Sequence, residues 1–265
     1  MSGTGDPLLY EVRGPIAWIT LNRPEKRNAL SRALIEGLRE ALRRAADDGE
    51  VRVVAMAGAG NDFCAGADLG ELGGLQDASV AENLDDIEAL AGLILEIRAL
   101  NRPVVAVVHG RALAGGCGLA SACDLVLARE DATFGYPEVR IGFVPAMVMA
   151  ILRRNVSEKR AFELIALGRT FGAAEAERYG LVNRVFPHES FEDDVREVLL
   201  ALASRSSSAL ALGKRLLYQQ DGLGFEAAVR AGVDVNALAR TTEDTRSGVR
   251  RFLDKSPEPP TEGSR

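Results

Sequence analysis

The sequence has few aromatic residues, few histidines and few cysteines. Aromatic side chains make up 5% of the 265 residues, and there are three cysteines and two histidines. The cysteines (Cys64, Cys117 and Cys123) are odd in number and form no C-x-x-C pair, which indicates free thiols in a reducing, cytoplasmic compartment. His109 closes an apolar run and is expected to be a hydrogen-bonded core residue, while His188 follows a proline in an expected surface loop. Neither belongs to a spaced set of metal ligands, so no metal site is expected.

Long apolar runs and several well-known motifs are also missing. No apolar run approaches the roughly 18–20 residues of a membrane span, so no membrane association is expected. There is no G-x-S-x-G, no phosphate-binding G-x-x-x-x-G-K-[ST] and no dinucleotide fingerprint. These absences disfavour a serine hydrolase of the elbow type, a P-loop enzyme and a nicotinamide enzyme.

Positive charge is not in excess. The chain has 32 Lys and Arg against 38 Asp and Glu, a net charge of -6, and is 47% apolar. This composition is typical of a globular protein with a sizeable core and disfavours a broadly basic nucleic-acid binder. An anionic ligand remains compatible with it, because local basic groups can hold a phosphate on an acidic protein.

Apolar periodicity predicts an α/β fold. A hairpin and a helix open the chain, and strands then alternate with helices; after Ser157 the chain is almost wholly helical, interrupted only by an extended stretch. We expect a core domain over residues 1–200 and a helical extension over 201–265. The expected early elements are a hairpin of Leu8–Arg13 and Ile16–Leu21, a helix over Ser31–Ala46, strands at Val51–Ala57, Val104–His109 and Asp124–Ala128, a helix over Asp77–Leu100, a small-residue helix within Gly110–Cys123 and the extended stretch Leu181–Phe186.

Two segments rich in glycine and alanine follow predicted strands, at residues 62–69 and 109–118. Small residues let a ligand approach the backbone and use its N–H groups as donors. Two such groups converging on one carbonyl oxygen would form an oxyanion hole, and a helix starting at Gly115-Gly116 would direct its positive end toward that oxygen. The alternative is that these glycines serve only tight turns and helix packing.

A third segment, residues 132–143, places one acid in apolar and glycine-rich surroundings. Burial would raise the pKa of Glu138 and suit it to proton transfer. The alternative is a solvated carboxylate paired with Arg140.

Taken together, these segments resemble the crotonase superfamily, the enoyl-CoA hydratase/isomerase family, over nearly the whole chain. The resemblance is carried by ITLNRPEKRNALS (19–31), FCAGADL (63–69), HGRALAGGCGLASACD (109–124), FGYPEVRIGFVP (134–145) and GRTFGAAEAERYGLVNRV (168–185). It implies a spiral of repeated ββα turns, a C-terminal helical trimerisation region and a homo-trimer or hexamer. It also implies acyl-CoA thioester substrates and no cofactor beyond the coenzyme A of the substrate.

The resemblance assigns roles to individual residues. It implies that the N–H groups of Ala67 and Gly115 are the oxyanion donors and that Glu138 is the general acid/base. The residues expected to bind the acyl-CoA are Lys26, Arg27, Ala29, Ala65, Asp68, Leu69, Leu113, Gly116, Gly118, Pro137, Phe252 and Lys255.

Hydratases of this family usually carry two glutamates that hold the attacking water. The sequence departs from this pattern at Gly118, which stands where the first of them is expected, whereas Glu138 matches the second. Hydration of a 2-enoyl-CoA is the expected reaction; conversion of a 3-enoyl-CoA to a 2-enoyl-CoA, and a catalytically quiet relative that binds CoA or RNA, are the alternatives. Gly118 either opens room for a bulkier acyl group or serves helix packing. Met147 and Met149 either line an acyl tunnel or pack in the core.

Overall fold

The computed structural model describes residues 5–74 and 78–254. The strands are β1 (Leu8–Arg13), β2 (Ile16–Leu21), β3 (Val53–Gly58), β4 (Val104–Val108), β5 (Arg111–Leu113), β6 (Leu125–Arg129), β7 (Thr133–Gly135), β8 (Thr170–Gly172) and β9 (Arg184–Phe186). The α-helices are α1 (Arg32–Asp47), α2 (Leu69–Gly74), α3 (Val80–Ala99), α4 (Gly115–Ala122), α5 (Ala146–Asn155), α6 (Glu158–Leu167), α7 (Ala173–Tyr179), α8 (Phe191–Ala203), α9 (Ser207–Gln219), α10 (Phe225–Thr241) and α11 (Glu243–Leu253). Short 3₁₀ helices cover Pro24–Lys26, Pro137–Ile141 and Gln220–Gly222.

The larger of two sheets has the strand order β1-β2-β3-β4-β6-β9. The predicted hairpin β1–β2 is antiparallel, and every later pairing in this sheet is parallel. Parallel neighbours need a crossover, and helices supply it: α1 connects β2 to β3, and α3 lies between β3 and β4. The predicted α/β class is confirmed.

A second sheet, β5-β7-β8, stacks short strands beside the first. Strand β4 is followed by β5 and α4, and β6 by β7 and a 3₁₀ helix, so successive chain segments contribute one strand to each sheet. An isolated bridge between Cys64 and Ala112 extends the same arrangement to the segment after β3. This repeat is the expected spiral of ββα turns.

Both faces of the larger sheet are buried. Val54 and Met56 of β3 face a large core with α1 and α3, whereas Val53 and Ala55 face a smaller one. Helix α8 covers that second face, with Phe191 among its buried residues. Burial on both sides explains why the strand is apolar without alternation.

Two predicted helices are present with small differences at their ends. Ser31 is the N-cap of α1, its Oγ accepting a bond from the N–H of Leu34 at 3.3 Å. Helix α3 begins at Val80, where Ser79 and Glu82 form a capping box, and not at the expected Asp77, which lies outside the described residues. The strands β5, β7 and β8 and the helix α2 were not predicted, because elements this short carry little periodicity, and helix α5 was not predicted either.

The C-terminal helices α9–α11 contain no fully buried side chain within the described residues. Helix α8 packs into the core up to Ala203, so the expected boundary at residue 200 falls inside this helix. The Nζ of Lys214 on α9 donates to the Ile97 and Arg102 carbonyls at 2.8 and 2.9 Å and to Asp124 Oδ2 at 2.7 Å. Among the described residues, no helix is long and apolar enough to cross a membrane.

Candidate active site

The loop before α1 is fastened by one buried amide. Asn28 is fully buried in the left-handed conformation, with φ of 54°. Its Nδ2 donates to the carbonyls of Ala59 and Asp62 at 2.9 and 2.7 Å, and its Oδ1 accepts from the N–H of Arg23 at 2.9 Å. Sequence reasoning did not identify Asn28; the signal that was available is that asparagine is enriched at left-handed positions.

This loop orients the backbone of the segment after β3. The N–H of Leu30 donates to the Gly66 carbonyl at 2.7 Å, and the N–H of Asp68 donates to the Leu30 carbonyl at 3.0 Å. Because successive N–H groups of an extended chain point in opposite directions, the N–H of Ala67 points away from Leu30. Within residues 5–74 and 78–254 that N–H has no acceptor.

The position of the second candidate donor, the N–H of Gly115, is fixed by a residue with a strained backbone conformation. Ala114 has φ of 50° and ψ of -126°, a conformation that costs an L-residue about 1–3 kcal/mol. Its N–H donates to the Gly135 carbonyl at 2.8 Å, which holds the chain in place. Gly115 then opens α4, where a first-turn N–H has no intrahelical partner, and it finds no acceptor elsewhere in the described chain.

Glycine brings the two donors side by side. A β-carbon on Gly66, whose φ is 101°, would lie 2.8 Å from the Ala114 Cβ and 3.4 Å from the Gly115 nitrogen. The position of a β-carbon on Gly115 is 3.9 Å from the Ala67 nitrogen. Two adjacent free N–H groups, one at a helix start, can hold an oxygen that becomes negatively charged during a reaction.

Glu138 lies in the 3₁₀ helix Pro137–Ile141 and is 8% exposed. Its Oε2 has no hydrogen-bond partner in the described structure, and burial raises the pKa of the carboxyl. No ion pair joins it to Arg140 among the described residues, so the solvated-pair alternative is wrong. A buried carboxyl with a raised pKa and a free oxygen is suited to accept and return a proton.

The two donors and Glu138 line one cleft of about 730 Å³. Its walls come from the loop before α1, the segments after β3 and β4, α3, and the start of α5. The predicted site residues that line it are Lys26, Arg27, Ala29, Ala65, Ala67, Asp68, Leu69, Leu113, Gly115, Pro137 and Glu138.

Three predicted binding residues do not line the cleft, and a fourth lies outside the described residues. Gly116 packs against the segment after β3, where a β-carbon on it would lie 2.2 Å from the Cys64 carbonyl oxygen. Gly118 is filled by a neighbour: a β-carbon there would lie 1.9 Å from Cγ1 of Val148, so the expectation that Gly118 opens acyl room is wrong and the packing alternative holds. Phe252 is 84% exposed and does not line the cleft, and Lys255 lies outside the described residues.

The carboxylate of Asp68 forms hydrogen bonds within the protein. Its Oδ2 accepts from Arg23 at 2.8 Å and its Oδ1 from the N–H of Gly70 at 3.0 Å. Burial acts to raise the pKa of Asp68, but these bonds outweigh it and hold the pKa low. Arg23 also donates to the Ala29 carbonyl at 2.7 Å, so the pair ties the loop to the donor segment.

A second ion pair joins the segment after β3 to the start of β5. Arg111 Nε and a terminal nitrogen reach the two oxygens of Asp62 at 2.7 and 2.9 Å, and the Arg111 N–H adds a bond of 3.0 Å. Burial raises the pKa of Asp62, but Arg111 reverses the effect and lowers it overall. Arg111 itself lines the cleft.

The thiols behave as the sequence indicates, and His109 does so in part. The cysteines are free and buried, and burial raises the pKa of Cys64 to about 12 and that of Cys117 to about 11, so neither is a ready nucleophile. The ring of His109 lies 2.9 Å from the Gly60 carbonyl oxygen, which confirms a hydrogen-bonded role, but the residue is half-buried and not part of the core, so that expectation is wrong. Among the described residues no group of His, Cys, Asp and Glu is arranged to hold a metal. Met147 lines the cleft and Met149 does not.

Comparison with known proteins gives consistent matches. A family model described as enoyl-CoA hydratase/isomerase matches residues 11–262. The chain is 40% identical to a provisionally named enoyl-CoA hydratase of Thermus thermophilus, over 92% of this chain and 97% of that one. It is 35% identical to the 2,3-dehydroadipyl-CoA hydratase of Escherichia coli, over 89% and 91%. The crystal structure of an enoyl-CoA hydratase from Mycobacterium smegmatis superposes with a TM-score of 0.90 at 34% identity, covering 94% and 96%.

Proposed function

Because this chain belongs to the enoyl-CoA hydratase/isomerase family, we propose that it adds water reversibly to the double bond of a 2-enoyl-CoA. The observation that carries the proposal is the presence in one cleft of two free N–H groups, from Ala67 and Gly115, and one buried carboxyl, Glu138. A thioester needs both, because its reaction passes through an enolate and moves a proton.

In the proposed reaction the thioester oxygen accepts hydrogen bonds from Ala67 and Gly115. Ionised Glu138 takes a proton from water as the water oxygen bonds to C3, and electrons move from the C2–C3 double bond to the thioester oxygen. The same carboxyl then returns the proton to C2 as the enolate collapses. One N–H donor contributes about 3–4 kcal/mol to such a transition state, and acid–base transfer about 100- to 10,000-fold in rate.

The remaining cleft residues fit a coenzyme A carrier. Lys26 and Arg27 lie at the cleft with basic side chains that suit phosphates. Ala29, Ala65 and Leu69 present backbone and apolar surface to the rest of the carrier.

Isomerisation of a 3-enoyl-CoA is the second candidate, and the apolar contact between Gly118 and Val148 beside the cleft favours it. A water molecule needs two to four polar partners, whereas Gly118 has no side chain and Val148 fills its place. In this reaction Glu138 removes a proton from C2 and returns it to C4, so no water takes part.

Two thioesters distinguish these reactions. Hydration of crotonyl-CoA removes the ultraviolet absorbance of the conjugated thioester, whereas isomerisation of a 3-enoyl-CoA creates it. Activity on crotonyl-CoA, with deuterium entering C2 from heavy water, supports hydration. Activity on the 3-enoyl-CoA alone would mean that the enzyme is an isomerase and not a hydratase. Failure of both, with CoA binding or a salt-dependent RNA gel shift retained, would indicate a catalytically quiet relative.

We also propose a homo-trimer or a hexamer, assembled in the cytoplasm. Large apolar side chains in the C-terminal helical region are exposed in the single subunit. Contacts with further subunits would cover them. These side chains are Leu217, Leu223, Phe225, Val229, Val233, Leu238, Val249, Phe252 and Leu253. Sedimentation that shows a stable monomer at micromolar concentration would contradict the assembly.

A further inference from the structure

Val148 lies in the wall of the cleft that also contains Glu138. It stands near the start of α5, is 5% exposed and lines the cleft together with Glu138. Its neighbours Ala146 and Met147 line the same wall and are more exposed. Val148 is therefore a buried apolar part of the surface that a bound acyl group would meet.

Val148 reaches this position because Gly118 has no side chain. A β-carbon on Gly118 would lie 1.9 Å from Val148 Cγ1 and 2.8 Å from its Cβ. Real carbon atoms do not approach so closely, and valine is stiff about its first side-chain torsion, so it cannot turn aside cheaply. Any larger residue at position 118 would displace Val148, and with it the start of α5.

The contact lies close to the candidate oxyanion donor. Gly115 and Gly118 are three residues apart on α4 and therefore share a helix face. The Cγ1 of Val148, which fills the space beside Gly118, therefore lies on the same face of α4 as Gly115. An acyl thioester held at the Gly115 N–H would place its first carbons near this face.

We propose that Val148 determines acyl specificity, by restricting the carbon next to the thioester to unbranched groups. This inference rests on the proposed function for the identity of the ligand. A methyl branch at C2 would have to occupy space that the valine fills. One methyl group in an apolar pocket changes selectivity about 10- to 200-fold.

The test compares unbranched and C2-methylated thioesters. Binding of butyryl-CoA and 2-methylbutyryl-CoA is measured by calorimetry, and turnover of crotonyl-CoA and 2-methylcrotonyl-CoA by absorbance. The wild type is expected to favour the unbranched member of each pair. Val148→Ala should reduce that preference about 10-fold or more, and Val148→Ile should increase it. If one of these variants fails to fold, the other still tests the inference.

Val156→Ala is the matched control, because Val156 is 8% exposed at the end of α5 and does not line the cleft. It should keep the wild-type preference. Equal binding of both thioesters by the wild type, or an unchanged preference in the folded Val148 variants, would overturn the inference. Binding with the expected preference but no turnover would overturn only the proposed reaction, and failure to bind any acyl-CoA would overturn both.

Discussion

Replacing Glu138 by glutamine should lower activity and raise stability at neutral pH. The substitution keeps the shape of the side chain and removes proton transfer, so turnover should fall about 100- to 10,000-fold with acyl-CoA binding nearly unchanged. The stability effect follows from the raised pKa of this buried carboxyl, whose charged form is disfavoured in the folded protein.

The sign of the pH effect follows from linkage. A glutamate whose pKa is higher in the folded state favours folding while it is protonated, and this contribution is lost as pH rises through the folded pKa. The wild type therefore loses stability relative to Glu138→Gln between acidic and neutral pH. At low pH both side chains are neutral and the difference should vanish. The unpartnered Oε2 does not alter this, because a glutamine there leaves a polar atom unpaired as well.

The measurement is urea unfolding at fixed protein concentration across a pH series, beside turnover at each pH. Turnover of the wild type should rise with pH through the raised pKa, because the ionised carboxyl is the base. Glu189→Gln is the control, since Glu189 is exposed, and it should change neither quantity. A Glu138→Gln enzyme with full turnover would refute the assignment of the base, and equal stability of variant and wild type at every pH would refute the burial argument.

Three further outcomes are expected. Ala67→Pro removes a donor and should reduce turnover at least about 100-fold, whereas Ala67→Ser keeps the N–H and should be milder; equal losses would mean that crowding matters instead. Gly118→Ala should lower the free energy of unfolding by about 1–3 kcal/mol, measured in urea, and by less in a Val148→Ala background. Additive effects of the two substitutions would contradict the contact. Lys214→Met leaves the partly buried carboxylate of Asp124 without its cation and should lower the free energy of unfolding by about 3 kcal/mol or less, against little change for exposed Lys159→Met; similar values would show that the Lys214 network is not stabilising.

Local patterns were sufficient for elements that depend on neighbouring residues. The hairpin ends were predicted as observed because Gly14-Pro15 lies between two β-type runs, and Gly14 adopts φ of 57°. Ser31 was recognised as a cap because its role depends only on the next three residues. The donor segments were recognised for the same reason, since small residues directly follow strands.

The supports of the site could not be predicted in this way, because their partners are distant in sequence. The contact between Gly118 and Val148 spans 30 residues and cannot be recognised from the local sequence pattern. A glutamate at position 118, as such hydratases usually carry, would collide with Val148 unless α5 moved. The ion pair between Asp68 and Arg23 is likewise visible only in three dimensions, and it shows that the Asp68 side chain also supports the donor segment.

The features that make this cleft reactive also oppose the stability of the fold. Ala114 holds a costly backbone conformation, Glu138 leaves an oxygen without a partner, and the Ala67 and Gly115 N–H groups wait for an acceptor. A sequence under selection for stability alone would relieve each of these with a glycine, an apolar side chain or a turn that closes the bonds. All of these residues line one cleft, and an acyl thioester, on the proposed function, would supply the acceptor that the two N–H groups lack. These costs are thus concentrated at one site, which is the arrangement expected of a preorganised catalytic site.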